Sequence, residues 1–175
     1  MNRETPPQVS VSGFPEPPFE FTDGEGRSID VRPVEEDDFD GLYEMYLEFD
    51  PRDRAQGVPP AREEQMSDWL DTVLEGINVA AWHDEAAAGH ATLIHDEDVG
   101  AYELAIFVLQ SYQGAGVGSE LIQAAFAEGY HRGVREVWLT VERWNRSAIA
   151  LYRKTGLSEV GGSGLEIEMA AELVD

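Results

Sequence analysis

Residues 104–118 read LAIFVLQSYQGAGVG, and this stretch decides the fold. Its apolar first half predicts a β-strand, and its second half is a glycine-rich turn. A helix is predicted directly after the turn, because apolar residues recur there at helical spacing, at Leu121, Ile122, Ala125 and Phe126. Backbone N–H groups and the positive end of a helix dipole meet at such a turn. The stretch therefore predicts a site for a phosphate-bearing cofactor.

Three kinds of phosphate-binding loop compete for this turn. A P-loop requires Lys and then Ser or Thr after its last glycine, whereas Gly118 is followed by Ser119 and Glu120. A dinucleotide-binding loop requires G-x-G-x-x-G near the start of a domain, whereas this chain has G-x-G-x-G more than halfway along. The third pattern, Q/R-x-x-G-x-G/A, is met by Gln113, Gly116 and Gly118. A tight turn that binds no ligand is the remaining alternative.

A second segment, Asn145–Leu157, reads NRSAIALYRKTGL. It matches N-x-x-A-x-x-L-Y-x-K-x-G-F, except that Leu157 replaces the final Phe. Together the two segments resemble the GNAT superfamily of N-acetyltransferases, in the same order and separated by a helix and a strand. The resemblance is specific over residues 100–160, extends only to the order of elements over residues 28–99, and is absent before residue 28.

The resemblance implies a GNAT fold of the α/β (α+β) class: a mixed, mostly antiparallel sheet of about seven strands, with a splayed parallel pair at its centre and four helices. Periodicity predicts the same order of elements. A hairpin over 19–31 is followed by a helix that starts at 35–38, by helices at 61–74, 117–131 and 146–155, and by strands at 77–83, 87–95, 101–109, 135–142 and 160–169. Residues 1–18 contain five prolines, so we predict a flexible tail there and a single domain over 19–175.

The resemblance also implies acetyl-CoA as the co-substrate. The loop that would hold its pyrophosphate consists of Gln113, Gly114, Ala115, Gly116, Val117, Gly118 and Ser119. The strand Ile106-Phe107-Val108 would pair with the pantetheine arm, and the Val108 amide would polarise the thioester carbonyl. Asn145 would cap the last helix and contact the same arm. Gln113 stands where many relatives carry Arg, so the loop has one positive charge fewer.

Two side chains are candidates for proton transfer. Glu103 lies in Ala101–Val108, which resembles the A-E-L-A-x-x-V strand of GNAT domains that acetylate protein lysines. In those domains the strand glutamate is the general base. Tyr152 matches the tyrosine of the second motif and would protonate the departing thiolate. His95 and Glu142 are alternative bases, while a merely exposed Glu103 and a merely packed Tyr152 are the alternatives without a chemical role.

These features predict an enzyme that transfers an acetyl group directly from a thioester to a primary amine, with protein lysine as the first acceptor. A small-molecule amine acetyltransferase and a non-catalytic acyl-CoA-sensing module are the alternatives. The loop at 50–57, between the first two helices, is predicted to contact the acceptor. Homodimers are common among the relatives, so the resemblance allows one. Trp138 and Trp144 are predicted to be packing residues.

Composition narrows the remaining classes of function. The 175 residues include no cysteine, which excludes disulfides, thiolate metal sites and a cysteine nucleophile. The four histidines show no spacing typical of zinc ligands, so we expect no metal. No apolar run is long enough to span a membrane, and no secretory leader is recognisable. We therefore expect a cytoplasmic protein without a membrane partner.

The net charge is −23, from 35 acidic and 12 basic residues. Such a chain lacks the basic surface that neutralises phosphates, so we expect no nucleic-acid partner. Hydrophobic residues still make up 42% of the chain, too many for a disordered acidic segment. We interpret the charge as a solvated acidic surface of a halophilic protein. A binding surface for a basic partner is the alternative.

This interpretation predicts that salt stabilises the protein. Screening weakens the repulsion among surface carboxylates, so the thermal unfolding midpoint should rise between dilute buffer and about 1 M KCl. Thermal melts by circular dichroism at several KCl concentrations measure it. A higher midpoint in dilute buffer than in molar KCl would contradict the interpretation.

Overall fold

The computed structural model describes residues 3–50, 59–60 and 62–175. Within them the chain forms nine strands and four α-helices. The strands are β1 (Gln8–Ser10), β2 (Phe19–Thr22), β3 (Ser28–Pro33), β4 (Ile77–His83), β5 (Ala86–Asp96), β6 (Ala101–Val108), β7 (Glu136–Glu142), β8 (Ser158–Ser163) and β9 (Glu166–Val174). The helices are α1 (Phe39–Leu47), α2 (Glu63–Val73), α3 (Val117–His131) and α4 (Arg146–Lys154).

All nine strands join one sheet, in the order β1-β9-β7-β6-β5-β4-β3-β2, with β8 paired to β9. Strands β2 to β6 form an antiparallel run, and β7 pairs antiparallel with β9. The central pair β6–β7 is parallel, and α3 connects its two strands. The GNAT fold predicted from the sequence is confirmed, as a mixed sheet with a parallel pair at its centre.

Helices cover both faces of the sheet. On one face, called the α3 face below, Phe126 and other apolar residues of α3 pack against inward-pointing residues such as Leu93 and Leu104. On the other, the α1/α2 face, Leu42, Met66 and Leu70 are buried with sheet residues. Within the described residues, no helix combines the length and the apolar character needed to cross a membrane.

The tight contact between α3 and the sheet depends on a glycine in β5. A Cβ added at Gly89 would lie 2.7 Å from Leu121 Cδ1 and 3.2 Å from the Phe107 carbonyl oxygen. Only a residue without a side chain therefore allows α3 to lie so close to β5 at this point. Gly89 thus sets the distance between α3 and β5, and β5 pairs with β6, the strand that precedes the glycine-rich loop.

A buried polar chain lies under the α1/α2 face. The Tyr46 hydroxyl is 2.6 Å from His90 Nδ1, and His90 Nε2 is 2.8 Å from Asn78 Oδ1. The Asn78 amide donates to the Val73 carbonyl at 3.1 Å, which leaves its oxygen facing His90. His90 is therefore neutral with its proton on Nε2, and it accepts from Tyr46 at Nδ1. The chain ties α1, α2 and two strands together.

Two differences from the sequence-based expectations concern the edges of the molecule. Residues 8–10, predicted as part of a flexible tail over residues 1–18, form strand β1, which pairs in parallel with β9. Val11 follows and is buried. The short strand was invisible in the sequence because its stability comes from pairing with the far end of the chain. With it the sheet has nine strands, against about seven predicted.

Trp144 is the second difference, because 72% of its surface is exposed although it was predicted to pack. It lies in the connection between the end of β7 and the start of α4. Trp138 is partly buried on β7. An aromatic residue in a connection is thus not a reliable sign of a core position.

The buried state of His90 predicts an acid-sensitive fold. Burial lowers the pKa of His90 to about 3 in the folded protein, whereas an unfolded histidine takes up its proton near pH 6.5. The stability contributed by neutral His90 is present above about pH 6.5 and is lost as the pH falls below it. At pH 5 the loss should amount to about 2 kcal/mol.

Urea unfolding at pH 7.5 and pH 5.0 measures this effect. His90→Gln should lower stability at pH 7.5 and lose about 2 kcal/mol less than the wild type between the two pH values. His131→Gln is the matched control, because His131 is exposed and its Nε2 lies 2.6 Å from the exposed Glu16 carboxylate. Equal losses in His90→Gln and the wild type would contradict the assignment.

Candidate functional site

The central feature of the site is an opening between β6 and β7. The two strands pair at only two positions, Tyr102 with Val137 and Glu103 with Trp138. Strand β6 nevertheless continues to Val108 and β7 continues to Glu142. The strands therefore separate after their first contacts, which leaves the second half of β6 with an edge that β7 does not cover.

Backbone groups of β6 point into this opening. The Leu109 amide donates to the Ala88 carbonyl at 3.0 Å, and the register places these residues directly opposite each other. Hydrogen-bonded pairs alternate along an antiparallel ladder, so Phe107 also bonds to β5 while Ile106 and Val108 do not. The N–H and C=O groups of Ile106 and Val108 therefore face the side that β7 has left.

The glycine-rich loop lies at the end of the opening, where α3 begins. Gly116 is the N-cap of α3 and has φ +93°, a left-handed conformation that glycine adopts without strain. Within the described residues, no hydrogen-bond acceptor is found for the amides of the loop and of the first turn of α3, at Gly114, Ala115, Val117, Gly118 and Ser119. A Cβ at Gly116 would meet nothing within 4 Å, so space remains above the loop. Free amides at a helix N-terminus fit a pyrophosphate.

The exposed Gln113 side chain makes a hydrogen bond within the protein. Its Nε2 donates to the Val108 carbonyl at 2.9 Å, which joins the loop to the end of β6. The backbone N–H of Gln113 is used within the protein as well, because it donates to the Gln110 carbonyl at 3.1 Å. The sequence offered no signal for this contact, because it depends on how the loop folds back.

Helix α4 contributes Tyr152 and Asn145. The Asn145 side chain accepts from the Ala148 amide at 3.2 Å, so it caps α4 as predicted. Tyr152 is partly buried against the apolar core on the α3 face, and burial raises the pKa of Tyr152 to about 12. No hydrogen-bond partner of its hydroxyl is found among the described residues. The hydroxyl therefore stays protonated near neutral pH and is free to donate.

Glu103 lies on the α1/α2 face of β6, opposite Ile94 of β5 and beside Trp138 of β7. Its side chain is exposed, yet neighbouring atoms partly desolvate the carboxyl group. That desolvation, followed by repulsion from Asp96, raises the pKa of Glu103 above its ordinary value. A raised pKa brings a carboxylate closer to the range in which it can accept a proton from an ammonium.

The two alternative bases lie on opposite faces of the sheet. His95 pairs with Tyr102, and their ring centroids lie 5.0 Å apart at a tilt of 52°, so His95 points to the α3 face and away from Glu103. Glu142 lies four residues after Trp138 on β7 and therefore shares the face of Glu103. The predicted acceptor loop is residues 50–57, and all of it after Asp50 lies outside the described residues.

Two acidic residues of this face were not singled out in the sequence. Glu166 and Glu168 of β9 line a cavity of about 280 Å³, together with Thr140 of β7 and residues of β8. Thr140 pairs with Glu168, which places all three on the face of Glu103. The sequence did contain a signal for them. Polar and apolar residues alternate at Glu166, Ile167 and Glu168, and such alternation indicates that the two glutamates share the face of a strand that points away from the core.

The family model described as "Acetyltransferase (GNAT) family" matches residues 39–157. The chain belongs to this family. An uncharacterized N-acetyltransferase of Mycobacterium bovis is 32% identical over 78 residues, which cover 45% of this chain and 50% of that protein. The mycothiol acetyltransferase of Amycolatopsis mediterranei is 26% identical over 157 residues, which cover 86% of this chain and 52% of that protein. The chain thus spans about half the length of these GNAT relatives.

Solved structures show the same GNAT fold. The GNAT domain of S. lividans PAT superposes with a TM-score of 0.79 at 17% identity, covering 89% of this chain and 96% of that one. A phosphinothricin acetyltransferase of the superfamily from Sinorhizobium meliloti, in complex with acetyl-CoA, gives a TM-score of 0.67 at 20% identity, with 87% and 89% covered. At these identities the similarity establishes the fold alone.

Proposed function

We propose that this protein is an acetyl-CoA-dependent N-acetyltransferase that transfers the acetyl group directly to a primary amine. The observation that carries the proposal is the combination of an open β6 edge with a loop of free amides at its end. An extended amide-containing chain can pair with Ile106 and with the Val108 amide, and a pyrophosphate attached to it would then meet the N-terminus of α3. Acetyl-CoA has both parts, in that order.

In this proposal the backbone does most of the binding. The loop amides and the α3 dipole supply positive potential to the pyrophosphate, although the chain has a net charge of −23. The Val108 amide donates to the thioester carbonyl and stabilises the oxyanion that develops there. Acetyl-CoA supplies the activated acyl group, and no covalent intermediate with the enzyme is required.

The proton route uses both faces of the sheet. Glu103 lies on the α1/α2 face and accepts the proton that an ammonium must lose before its nitrogen can attack. Tyr152 lies on α4, which packs with α3, and donates a proton to the departing thiolate. The opening between β6 and β7 would connect the two faces, so the thioester would lie between the base and the acid.

The acceptor proposed first is a protein lysine, with a small-molecule amine as the alternative. Both carry an ammonium group, and the α1/α2 face presents the carboxylates of Glu103 and Glu142. These groups attract a cation and favour an amine over an anionic or neutral acceptor. The strand that contains Glu103 supports lysine, because it resembles that of lysine-acetylating domains.

Calorimetry with acetyl-CoA and a thiol-release assay test the proposal together. Lysine-containing peptides and small amines should each be offered at saturating acetyl-CoA. Release of CoA that depends on one class of amine identifies the acceptor class. Tight binding of acetyl-CoA without amine-dependent release would instead identify an acyl-CoA-sensing module, and no binding of acetyl-CoA would overturn the proposal.

Replacing Tyr152 by Phe should slow turnover without weakening the binding of acetyl-CoA. The hydroxyl would act only when the thiolate leaves, so kcat should fall by about 10- to 100-fold, while the Kd for acetyl-CoA stays within about twofold. Tyr130→Phe, at the far end of α3, is the matched control. An unchanged kcat in Tyr152→Phe would remove Tyr152 from the mechanism.

Changing Glu103 should alter the acidic limb of the pH–rate profile. Below the pKa of Glu103 the protonated group cannot accept a proton, so kcat/KM falls as the pH drops. Glu103→Gln should abolish this limb and lower kcat/KM at neutral pH by about 100-fold. Asp96→Asn should keep the activity and move the limb to lower pH, because it removes the repulsion that helps to raise the pKa of Glu103.

Glu142→Gln is the control for the same face. It should leave the acidic limb in place, because Glu142 lies at the far end of β7 from the Glu103–Trp138 pair. If Glu142→Gln abolishes the limb while Glu103→Gln retains it, the base is Glu142.

A further inference from the structure

The turn between β2 and β3 makes hydrogen bonds to the glycine-rich loop and to the residues just before it. The Gly24 amide donates to the Ala115 carbonyl at 2.9 Å. Nη1 of Arg27 donates to the Ser111 carbonyl at 3.0 Å. The turn thus holds the chain on both sides of Gly114. Its contacts are long-range: Arg27 and Ser111 are 84 residues apart in the sequence.

Arg27 also holds the aromatic residue at the start of the loop. Its guanidinium lies over the Tyr112 ring, 4.1 Å from the ring centroid. The Tyr112 hydroxyl is 2.7 Å from Nδ1 of His83, at the end of β4. Tyr112 is therefore fixed on its face by Arg27 and at its tip by His83.

Asp23 fixes the orientation of Arg27. Its carboxylate accepts from Nε of Arg27 at 2.7 Å and from the amides of Glu25 and Arg27 at 2.9 Å each. The Asp23 side chain is fully buried, whereas 22% of the Arg27 side chain is exposed. The adjacent carboxylate neutralises most of the guanidinium charge at the loop. The contacts of Arg27 therefore act through geometry more than through charge.

We infer that Arg27 is a positioning residue for the acyl-CoA loop. Gly114 and Gly116 give the loop conformational freedom that would have to be lost when a pyrophosphate binds. The contacts of Arg27 with Ser111 and Tyr112 remove part of that freedom beforehand, so the free amides are aligned before the ligand arrives. The inference rests on the proposed function, because it takes the loop to be the pyrophosphate site.

The experiment compares acetyl-CoA with S-acetylpantetheine, which lacks the pyrophosphate. Arg27→Met should weaken acetyl-CoA binding by about tenfold, the effect expected from losing one charge-assisted hydrogen bond and one stacked contact. Binding of S-acetylpantetheine should change less than about twofold, because the β6 edge is untouched. Calorimetry measures the first ligand and competition with acetyl-CoA measures the second.

Arg135→Met is the matched control. Arg135 also stacks on a tyrosine, with its guanidinium 4.0 Å from the Tyr130 ring centroid, and donates to two carbonyls, but at the opposite end of α3. It should leave both affinities unchanged. Arg27→Lys separates charge from geometry, because an ammonium keeps the charge but cannot stack flat and bond to Asp23 and Ser111 together. It should bind acetyl-CoA nearly as weakly as Arg27→Met.

The outcomes are distinguishable. If wild-type protein does not bind acetyl-CoA, the proposed function fails. If it binds and Arg27→Lys keeps wild-type affinity, or Arg27→Met weakens both ligands equally, the positioning role is overturned. Should Arg27→Met fail to fold, Tyr112→Phe removes only the hydroxyl that contacts His83 and should still weaken acetyl-CoA binding by about threefold. Unchanged binding in both Tyr112→Phe and Arg27→Lys would also overturn the inference.

Discussion

The separation of β6 from β7 after two paired residues is the constraint on which the site depends. A strand in the middle of a sheet normally satisfies its backbone groups on both edges. Here β6 bonds to β5 along its whole length, while its other edge is covered only at Tyr102 and Glu103. The N–H and C=O groups of Ile106 and the N–H group of Val108 are left for a ligand, which would complete the sheet as an added strand, while the Val108 carbonyl accepts from the Gln113 side chain.

Other elements hold this opening in place. Gly89 lets α3 lie close to β5, the Gln113 side chain bonds to the end of β6, and the turn that contains Arg27 grips the loop. On the opposite face, the chain of hydrogen bonds through Tyr46, His90 and Asn78 anchors α1 and α2 to β4 and β5. These contacts restrain the open edge, although β7 does not cover it, and a positioned backbone donor requires such restraint.

Positive potential in the candidate site comes from backbone groups, whereas its negative charge comes from side chains. The molecule is strongly acidic, yet its candidate anion site is made of amides and a helix N-terminus, whose partial charges do not appear in a count of residues. The carboxylates of Glu103 and Glu142 lie on the α1/α2 face, where the proposed ammonium acceptor would approach. An acidic protein can therefore accommodate an anionic co-substrate and a cationic acceptor in different parts of the same site.

Predictions from the sequence agree with the fold where they depend on residues close together along the chain. The loop over 113–119, the capping Asn145 and the hairpin of β2 and β3 were all predictable, because glycine spacing, caps and alternation act over a few residues. Strand β1 and the exposure of Trp144 were not, because each depends on what lies next to a segment in space. His90 and its partners are likewise brought together from three distant segments.

By itself, the sequence determined the order of the elements, the glycine-rich loop at the start of α3 and the residue types available for proton transfer. Only the tertiary structure decided that the Gln113 side chain bonds to the end of β6, that Arg27 holds the loop, and that Glu142 rather than His95 shares the face of Glu103. The physical reason is the range of the interactions. Turns and caps are set by neighbours along the chain, whereas side-chain contacts and strand faces are set by pairing partners that the chain supplies from far away.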